Sequence, residues 1–135
     1  MTKVIPYLNF NGNCREAMIF YKECLGGDLS LQKISESPMA AQMPSEMGAR
    51  ILHSQLTKNE FILRGSDMMG QNIKNGNVIG LCLDCTDEQA THLFFSNLSA
   101  GGQILTPLHQ TFWGATYGEL TDKFGINWLF NHTKS

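Results

Sequence analysis

The chain has 135 residues, of which 42% are hydrophobic and 16% charged, and its formal net charge is −2 at pH 7. This length and balance are typical of a globular domain with a buried core. The ten Lys and Arg residues are scattered, so no nucleic-acid partner is expected. No apolar signal segment or membrane-spanning run occurs, so the sequence predicts a soluble, cytoplasmic protein without a membrane partner.

The first half of the chain is predicted to fold as a strand, a helix and three further strands. Alternating hydrophobic residues predict a strand at Val4–Phe10, and the following turn leaves Asn13 as the N-cap of the helix. Gly26–Gly27 should end this helix. Its apolar residues at helical spacing are Cys14, Ala17, Met18, Tyr21, Cys24 and Leu25. The next strands are predicted at Leu29–Ile34, Arg50–Thr57 and Glu60–Gly65, the last two forming a hairpin through Lys58–Asn59.

The second half predicts the same order of elements again. A strand is expected at Val78–Asp84, and Thr86–Gln89 has the pattern of a capping box that opens a helix. The buried stripe of this helix is predicted to be Ala90, Leu93, Phe94 and Leu98, and Gly101–Gly102 should end it. The remaining strands are Gln103–Pro107 and the two arms of a hairpin in the tail, Phe112–Phe130, which turns at Asp122–Gly125.

A long internal repeat relates the two halves. The predicted caps Asn13 and Thr86 lie 73 positions apart, and the Gly-Gly pairs at 26 and 101 lie 75 apart. Such a period, present twice, indicates duplication of one βαβββ unit rather than a solenoid. We therefore expect an α+β fold in which two βαβββ modules form a curved mixed sheet around a cleft. Residues 1–135 are expected to be a single domain, with module 1 at about 1–70 and module 2 at about 76–135.

Short motifs along nearly the whole chain carry a family resemblance. They are Pro6–Asn13, Glu16–Ala17, Phe20–Tyr21, Asp67, Pro107–Leu108, Phe112–Gly114, Tyr117–Gly118 and Asp122–Trp128. Together with the repeat, they resemble the vicinal oxygen chelate superfamily (glyoxalase I, bleomycin-resistance proteins, extradiol dioxygenases) and, within it, the PhnB-like branch. The resemblance implies the glyoxalase/bleomycin-resistance fold, a homodimer and a small-molecule site. It implies no particular reaction, because that branch has no single settled one.

Strand alternation predicts which side chains face the cleft. The predicted ligand-binding residues are Tyr7, Asn9, Gln55, Arg64, Asp67, Trp113 and Tyr117, and the predicted catalytic residues are His53 and Glu119. Trp113, Tyr117 and Glu119 are expected to share one face of the tail. The residues expected to pack under the helices are Leu52, Leu56, Phe61, Leu63, Ile79, Leu81, Leu83, Ile126, Trp128 and Phe130.

The resemblance also locates the positions that bind metal in the family's metalloenzymes. By alignment they fall at about Ile5, Ile62, Val78 and Leu129, whose side chains offer no lone pair to Zn, Ni, Mn or Fe. The alternatives for the first two positions include Pro6, Tyr7 and Leu63, and these give no ligand set either. We therefore expect a site with no metal and no cofactor.

Two charged or titratable residues each allow two interpretations. His53 could act as a general base oriented by Glu119 or Asp67, or it could simply line the pocket. Arg64 could bind an anionic ligand, or it could form an edge salt bridge with Glu60 or Asp67.

The cysteines are expected to be chemically inert, and most methionines lie in two predicted loops. Cys82 and Cys85 have C-x-x-C spacing, but Cys82 should lie within a strand, so buried thiols are expected. Five of the seven methionines lie in the predicted loops Ser35–Ala49 and Ser66–Gly76; they are Met39, Met43, Met47, Met68 and Met69. A mobile lid over an apolar pocket, disorder, or dimer packing would each account for them.

The sequence predicts metal-independent binding of a small apolar or aromatic molecule in the cleft. The alternatives are a metal-free lyase or isomerase with His53 as acid or base, and a structural dimer with a vestigial cleft. A catalyst should lose turnover in His53→Ala, whereas a binder should lose affinity in Trp113→Ala. Some proteins of the PhnB-like branch carry a methyltransferase-like name, but no S-adenosylmethionine glycine loop follows the first strand here, so that chemistry is not expected.

Overall fold

A computed structural model describes residues 1–68 and 72–133, in two compact units, Met1–Lys74 and Asn75–Ser135. In unit 1 the elements are β1 (Tyr7–Phe10), α1 (Cys14–Leu25), β2 (Asp28–Lys33), β3 (Ile51–Lys58) and β4 (Phe61–Asp67). Three short 3₁₀ turns, Ile34–Glu36, Pro38–Gln42 and Ser45–Met47, connect β2 to β3. In unit 2 they are β5 (Leu81–Asp84), α2 (Glu88–Ser99), β6 (Gln103–Gln110), β7 (Ala115–Thr121) and β8 (Asn127–Thr133). Of the methionines predicted in loops, Met69 lies outside the described residues.

Each unit contains one four-stranded mixed sheet, and the two sheets have the same topology. The order is β1-β4-β3-β2 in sheet 1 and β5-β8-β7-β6 in sheet 2. In each, the first strand is parallel to the last and the remaining pairs are antiparallel. The predicted α+β class and the βαβββ repeat are therefore confirmed.

The core of unit 1 lies between α1 and sheet 1. The apolar face of α1 is buried as its spacing predicts, and Ile51 and Leu56 of β3 are fully buried beneath it. Gly27 lets the chain leave the helix toward β2, because its φ is 106° and a Cβ there would lie 2.7 Å from the Thr57 carbonyl oxygen. The predicted Gly-Gly helix end thus reflects a close approach of the backbone.

The register of sheet 1 corrects two predictions. The first strand begins at Tyr7 rather than Val4, and the Val4 side chain is exposed. A bulge between β2 and β3 pairs Lys33 with Ile51, so Ile51 is buried and Leu52, predicted to be core, is only half-buried. A bulge cannot be located from alternation alone, because it changes the alternation itself.

Three predictions about the start of unit 2 were wrong. Residues 78–80 precede β5, and Ile79, predicted to pack under the helix, is 77% exposed. The N-cap of α2 is Asp87 rather than Thr86, since its carboxylate accepts the Ala90 N–H at 3.2 Å. Leu93, predicted to lie in the buried stripe of this helix, is exposed. The buried residues of α2 are Thr91, Phe95 and Leu98.

The predicted hairpin of the tail is confirmed. Asp122 forms its turn: one carboxylate oxygen accepts the N–H groups of Phe124 and Ile126, and the other accepts the Trp128 indole N–H at 2.8 Å. Trp128 is buried, as predicted. Neither α-helix of the described part exceeds 12 residues, too short for the roughly 20 that a bilayer requires.

Candidate functional site

Sheet 1 has one face that α1 does not cover. Ser54 and Gly65 point toward the helix: the Ser54 hydroxyl lies 3.5 Å from the Cys14 sulfur, and a Cβ on Gly65 would lie 3.5 Å from the Met18 sulfur. Alternate residues therefore point away from α1. We call this surface the open face of sheet 1; its polar and aromatic members include Tyr7, Asn9, His53, Gln55 and Arg64. Five predicted site residues thus lie on one surface.

Arg64 lies at the centre of the open face. It is paired in register with Tyr7 of β1 on one side and Gln55 of β3 on the other. Its Nε–H donates to Gln55 Oε1 at 2.8 Å, and the Gln55 amide nitrogen donates to Thr57 Oγ1 at 3.2 Å. These bonds fix the direction of the guanidinium group.

An aromatic pair lies beside this arginine. The Tyr7 and His53 rings are 6.2 Å apart between centroids and tilted by 38°. Tyr7 is 46% exposed and His53 is half-buried. Asn9, on the same face of β1, is exposed. The open face thus offers ring surface and hydrogen-bonding groups together.

Asp67, predicted to bind ligand or orient His53, has a structural position instead. It lies on the opposite face of β4 from Arg64 and is 4% exposed. Its Oδ1 accepts the N–H groups of Gly12 and Cys14 at 2.7 and 3.0 Å, and its Oδ2 accepts that of Ile51 at 2.9 Å. The side chain of Asn13 makes no capping bond, so the α1 cap predicted there is supplied by Asp67 from β4.

Two further predicted site residues lie on the face of sheet 2 that α2 does not cover, which we call the open face of sheet 2. Tyr117 and Glu119 project from β7, and the Tyr117 hydroxyl donates to Glu119 Oε1 at 2.5 Å. This hydrogen bond is the larger cause, and partial burial the second, of the rise in the pKa of Tyr117 to about 12. The His109 ring packs edge-on against Tyr117 at 6.3 Å. Trp113, predicted to share this face, instead lies in the turn before β7 and stacks edge-on with Phe112 at 4.9 Å.

The two cysteines of the C-x-x-C spacing are not a redox pair. The expected burial of both thiols was wrong for Cys82, which is exposed in β5, while Cys85 is half-buried. Cys85 lies beyond the strand, three residues away and thus directed differently. Partial burial raises the pKa of both thiols, which disfavours the reactive thiolate. Burial likewise raises the pKa of Cys14 to about 11.

A polar network at the start of α2 was not found from the sequence. Both oxygens of Glu88 accept the Thr116 hydroxyl at 2.9 Å, and His92 Nε2 lies 3.2 Å from Oε1. His132 Nε2 lies 3.7 Å from the other oxygen, and its Nδ1 donates to the Cys85 carbonyl at 2.8 Å. The Thr116 bond is the main reason that the pKa of Glu88 is lowered.

An open pocket of about 750 Å³ adjoins this network and is lined by Asp84, Cys85, Thr86, Asp87, Glu88, His132 and Thr133. The spacing of Glu88 and His92 was the one available sequence signal, because residues i and i+4 of a helix are neighbours. Thr116 and His132 are distant in sequence and are brought to Glu88 only by the sheet.

The side chains do not fit the metal implied by the superfamily. On the open faces, the first and last strands of each unit pair Tyr7 with Arg64, Asn9 with Ser66, Cys82 with Leu129 and Asp84 with Asn131, and none of these pairs contains a histidine or a glutamate. Arginine and leucine donate no lone pair to a metal. Among residues 1–68 and 72–133, no three His, Cys, Asp or Glu side chains are grouped so as to hold a metal ion.

Comparison with known proteins shows relatives across the full length of the chain. The chain is 35% identical over 139 residues to Protein YjdN of Escherichia coli (strain K12), covering 96% of this chain and 94% of that protein. It is 32% identical to protein PA1353 from Pseudomonas aeruginosa, whose crystal structure matches with a TM-score of 0.89 and full coverage of both chains.

More distant structures share the fold. A PhnB protein from Bacillus cereus, also described as a 3-demethylubiquinone-9 3-methyltransferase, is 23% identical, with a TM-score of 0.78 over 98% of this chain and all of that one. A glyoxalase-related enzyme from Fulvimarina pelagi is 17% identical, with a TM-score of 0.60 over 98% of this chain and 89% of that one. The predicted glyoxalase/bleomycin-resistance fold is thereby confirmed.

The family model described as 3-demethylubiquinone-9 3-methyltransferase matches residues 2–130. That match agrees with the relatives above 30% identity and with the two βαβββ units. The PhnB protein carries the same description. The chain therefore belongs to the family described as 3-demethylubiquinone-9 3-methyltransferase, and it shares its fold with glyoxalase-related proteins.

Proposed function

We propose that this protein binds a small molecule with an apolar or aromatic part on the open face of sheet 1, without using a metal. The observation that supports this most directly is the Tyr7–His53 ring pair on a sheet face that α1 does not cover. Small-molecule sites combine aromatic surface with a few fixed polar groups. Gln55 and Arg64, hydrogen-bonded to each other beside the rings, supply such groups.

The test is ligand-observed NMR with two neutral aromatic fragments, benzamide and indole, on the intact protein. Tyr7→Ala should weaken their binding about fivefold or more, because an exposed ring contributes roughly 1 kcal/mol to stacking and contact. Phe112→Ala is the matched control, since Phe112 is an exposed ring in a turn of unit 2. Equal binding to both variants and the wild type, or no binding at all, would contradict the proposal.

Two other functions stay hypotheses. A metal-free lyase or isomerase would use His53 as acid or base, but Asp67, one of its two predicted orienting carboxylates, is committed to backbone N–H groups on the other face. A structural dimer would make the open face dispensable. Substitution of His53 by alanine separates the enzyme from the binder, because only the enzyme would lose turnover while keeping its ligand.

A further inference from the structure

Arg64 is a fixed cation on the open face of sheet 1. A guanidinium group stays protonated throughout the physiological range and has five N–H donors. In Arg64 the Nε–H is used by Gln55, a neutral partner. The side chain is half-buried, so the positive charge is partly removed from water.

No carboxylate in the described ranges, 1–68 and 72–133, forms an ion pair with Arg64. Glu60 and Asp67 were the predicted salt-bridge partners. Asp67 faces the other side of the sheet, where it accepts three backbone N–H groups. The edge salt bridge is therefore absent from the described residues.

Arg50 shows how the same unit satisfies a structural arginine. Its Nη1 donates to Asn11 Oδ1 at 3.2 Å and to the Met68 carbonyl at 2.9 Å, which ties two loops together. In Arg64 neither terminal amino group has an acceptor within the described part of the chain. A positioned guanidinium with unused, parallel N–H groups matches the two oxygens of a carboxylate or a phosphate.

The neighbouring side chains are compatible with an anion. Tyr7 lies in register on one side of Arg64, and Gln55 on the other, and neither is a carboxylate. Gln55 is itself held by Thr57, so the guanidinium direction is set before any ligand arrives. Such preorganisation lowers the entropy lost on binding.

We infer that Arg64 binds an oxyanion of the ligand, a carboxylate or a phosphate, while the aromatic or apolar part of the same ligand contacts Tyr7 and His53. This inference rests on the proposed function, because it names the chemical class of ligand for the same face. It also defines a role for Gln55, a neutral residue that positions the guanidinium group by accepting its Nε–H.

The experiment compares benzamide, benzoate and phenyl phosphate, which share one ring and differ in the polar group. Wild-type protein should bind at least one of the two anions about tenfold more tightly than benzamide. Arg64→Gln should abolish this preference, and Arg64→Lys should retain part of it, because lysine keeps the charge but loses the bidentate geometry. Arg15→Gln is the control for net charge, since Arg15 is exposed on the helix.

The possible outcomes distinguish the anion assignment of Arg64 from the proposed binding function. A preference for benzoate identifies a carboxylate ligand, and one for phenyl phosphate identifies a phosphate ligand; both support the inference if Arg64→Gln removes the preference and Arg15→Gln does not. Equal binding of all three fragments, lost in Tyr7→Ala, would overturn the anion assignment and leave the proposed function standing. An anion preference that survives in Arg64→Gln would assign the site to another residue. No binding of any fragment would overturn both proposals.

Discussion

At the scale of single residues, Asp67 links three parts of unit 1 through its carboxylate. One carboxylate joins the turn before α1, the first residue of that helix and the first residue of β3. Buried backbone N–H groups need acceptors, and bonds to a charged group are stronger than those between neutral groups. The residue that the sequence assigned to ligand binding therefore holds three elements together.

We expect Asp67→Asn to lower the free energy of unfolding by about 2 kcal/mol, because the amide nitrogen cannot accept one of the three N–H groups and the charge is lost. Urea unfolding followed by circular dichroism measures this effect. Asp28→Asn is the matched control, since Asp28 is exposed at the start of β2 and should change stability by less than about 0.5 kcal/mol. If both variants unfold alike, the role given to Asp67 is wrong.

Tyr117 should ionise later than an ordinary tyrosine, because its hydroxyl donates to Glu119 and the bond stabilises the neutral phenol. In an absorbance titration of tyrosinate, wild-type protein should show one tyrosine with a pKa of about 12. Glu119→Gln should lower this pKa toward 10, the ordinary value. Glu60→Gln, an exposed change of the same type, should leave the curve unchanged. Tyr117→Phe identifies which phase belongs to Tyr117 among the three tyrosines. If that phase stays at about 12 in Glu119→Gln, the role given to Glu119 is wrong.

At the scale of elements, the first turn of α2 is joined to four strands or their ends through Glu88. The Thr116 hydroxyl links the carboxylate to β7 and accepts the Gln110 amide of β6 at 2.7 Å. His132 links it to β8, and through the Cys85 carbonyl to the residue after β5. The groups that face Glu88 are thus one hydroxyl and two imidazoles, including His92 of α2 itself.

This network predicts a dependence of stability on pH. The pKa of Glu88 is lower in the folded state than its ordinary value of 4.5, so its contribution is fully present above pH 4.5 and is lost as pH falls through the lower, folded value. Wild type should therefore be more stable than Glu88→Gln at pH 6, and the difference should shrink toward pH 3. Thermal unfolding across this range measures it.

The control for that series is Glu16→Gln in the first turn of α1, where the carboxylate is exposed and makes no hydrogen bond to another described residue. This variant should follow wild type closely at every pH. A stability difference between wild type and Glu88→Gln that stays constant from pH 6 to pH 3 would show that the carboxylate's charge is not what the network uses.

At the scale of the whole molecule, the two units have the same topology but different side chains on their open faces. Both sheets have the same strand order, yet the open face of sheet 1 carries Arg64, hydrogen-bonded to the neutral Gln55, and that of sheet 2 carries the Tyr117–Glu119 pair. A fold shared with glyoxalase-related enzymes does not transfer their reaction, because function depends on the side chains of each site. The homodimer and the single-domain organisation stay predictions.

The sequence by itself determined the elements whose signals are local. Helical spacing and the glycines after it define α1 over Cys14–Leu25, and Asp122–Gly125 defines the tail hairpin. The repeated order of these signals was sufficient to predict two βαβββ units. Alternation also placed His53, Gln55 and Arg64 on one face, because the side-chain period of a strand is fixed by its backbone.

Only the tertiary structure decided how residues distant in sequence are paired. It gave the α1 cap to Asp67, 53 positions from Cys14, and brought Thr116 within 2.9 Å of Glu88, 28 positions away. It also gave Arg64 a neutral partner, Gln55, instead of Glu60 or Asp67. The physical reason is that strand register and bulges determine which polar groups meet, and these depend on contacts across the sheet that no local pattern contains.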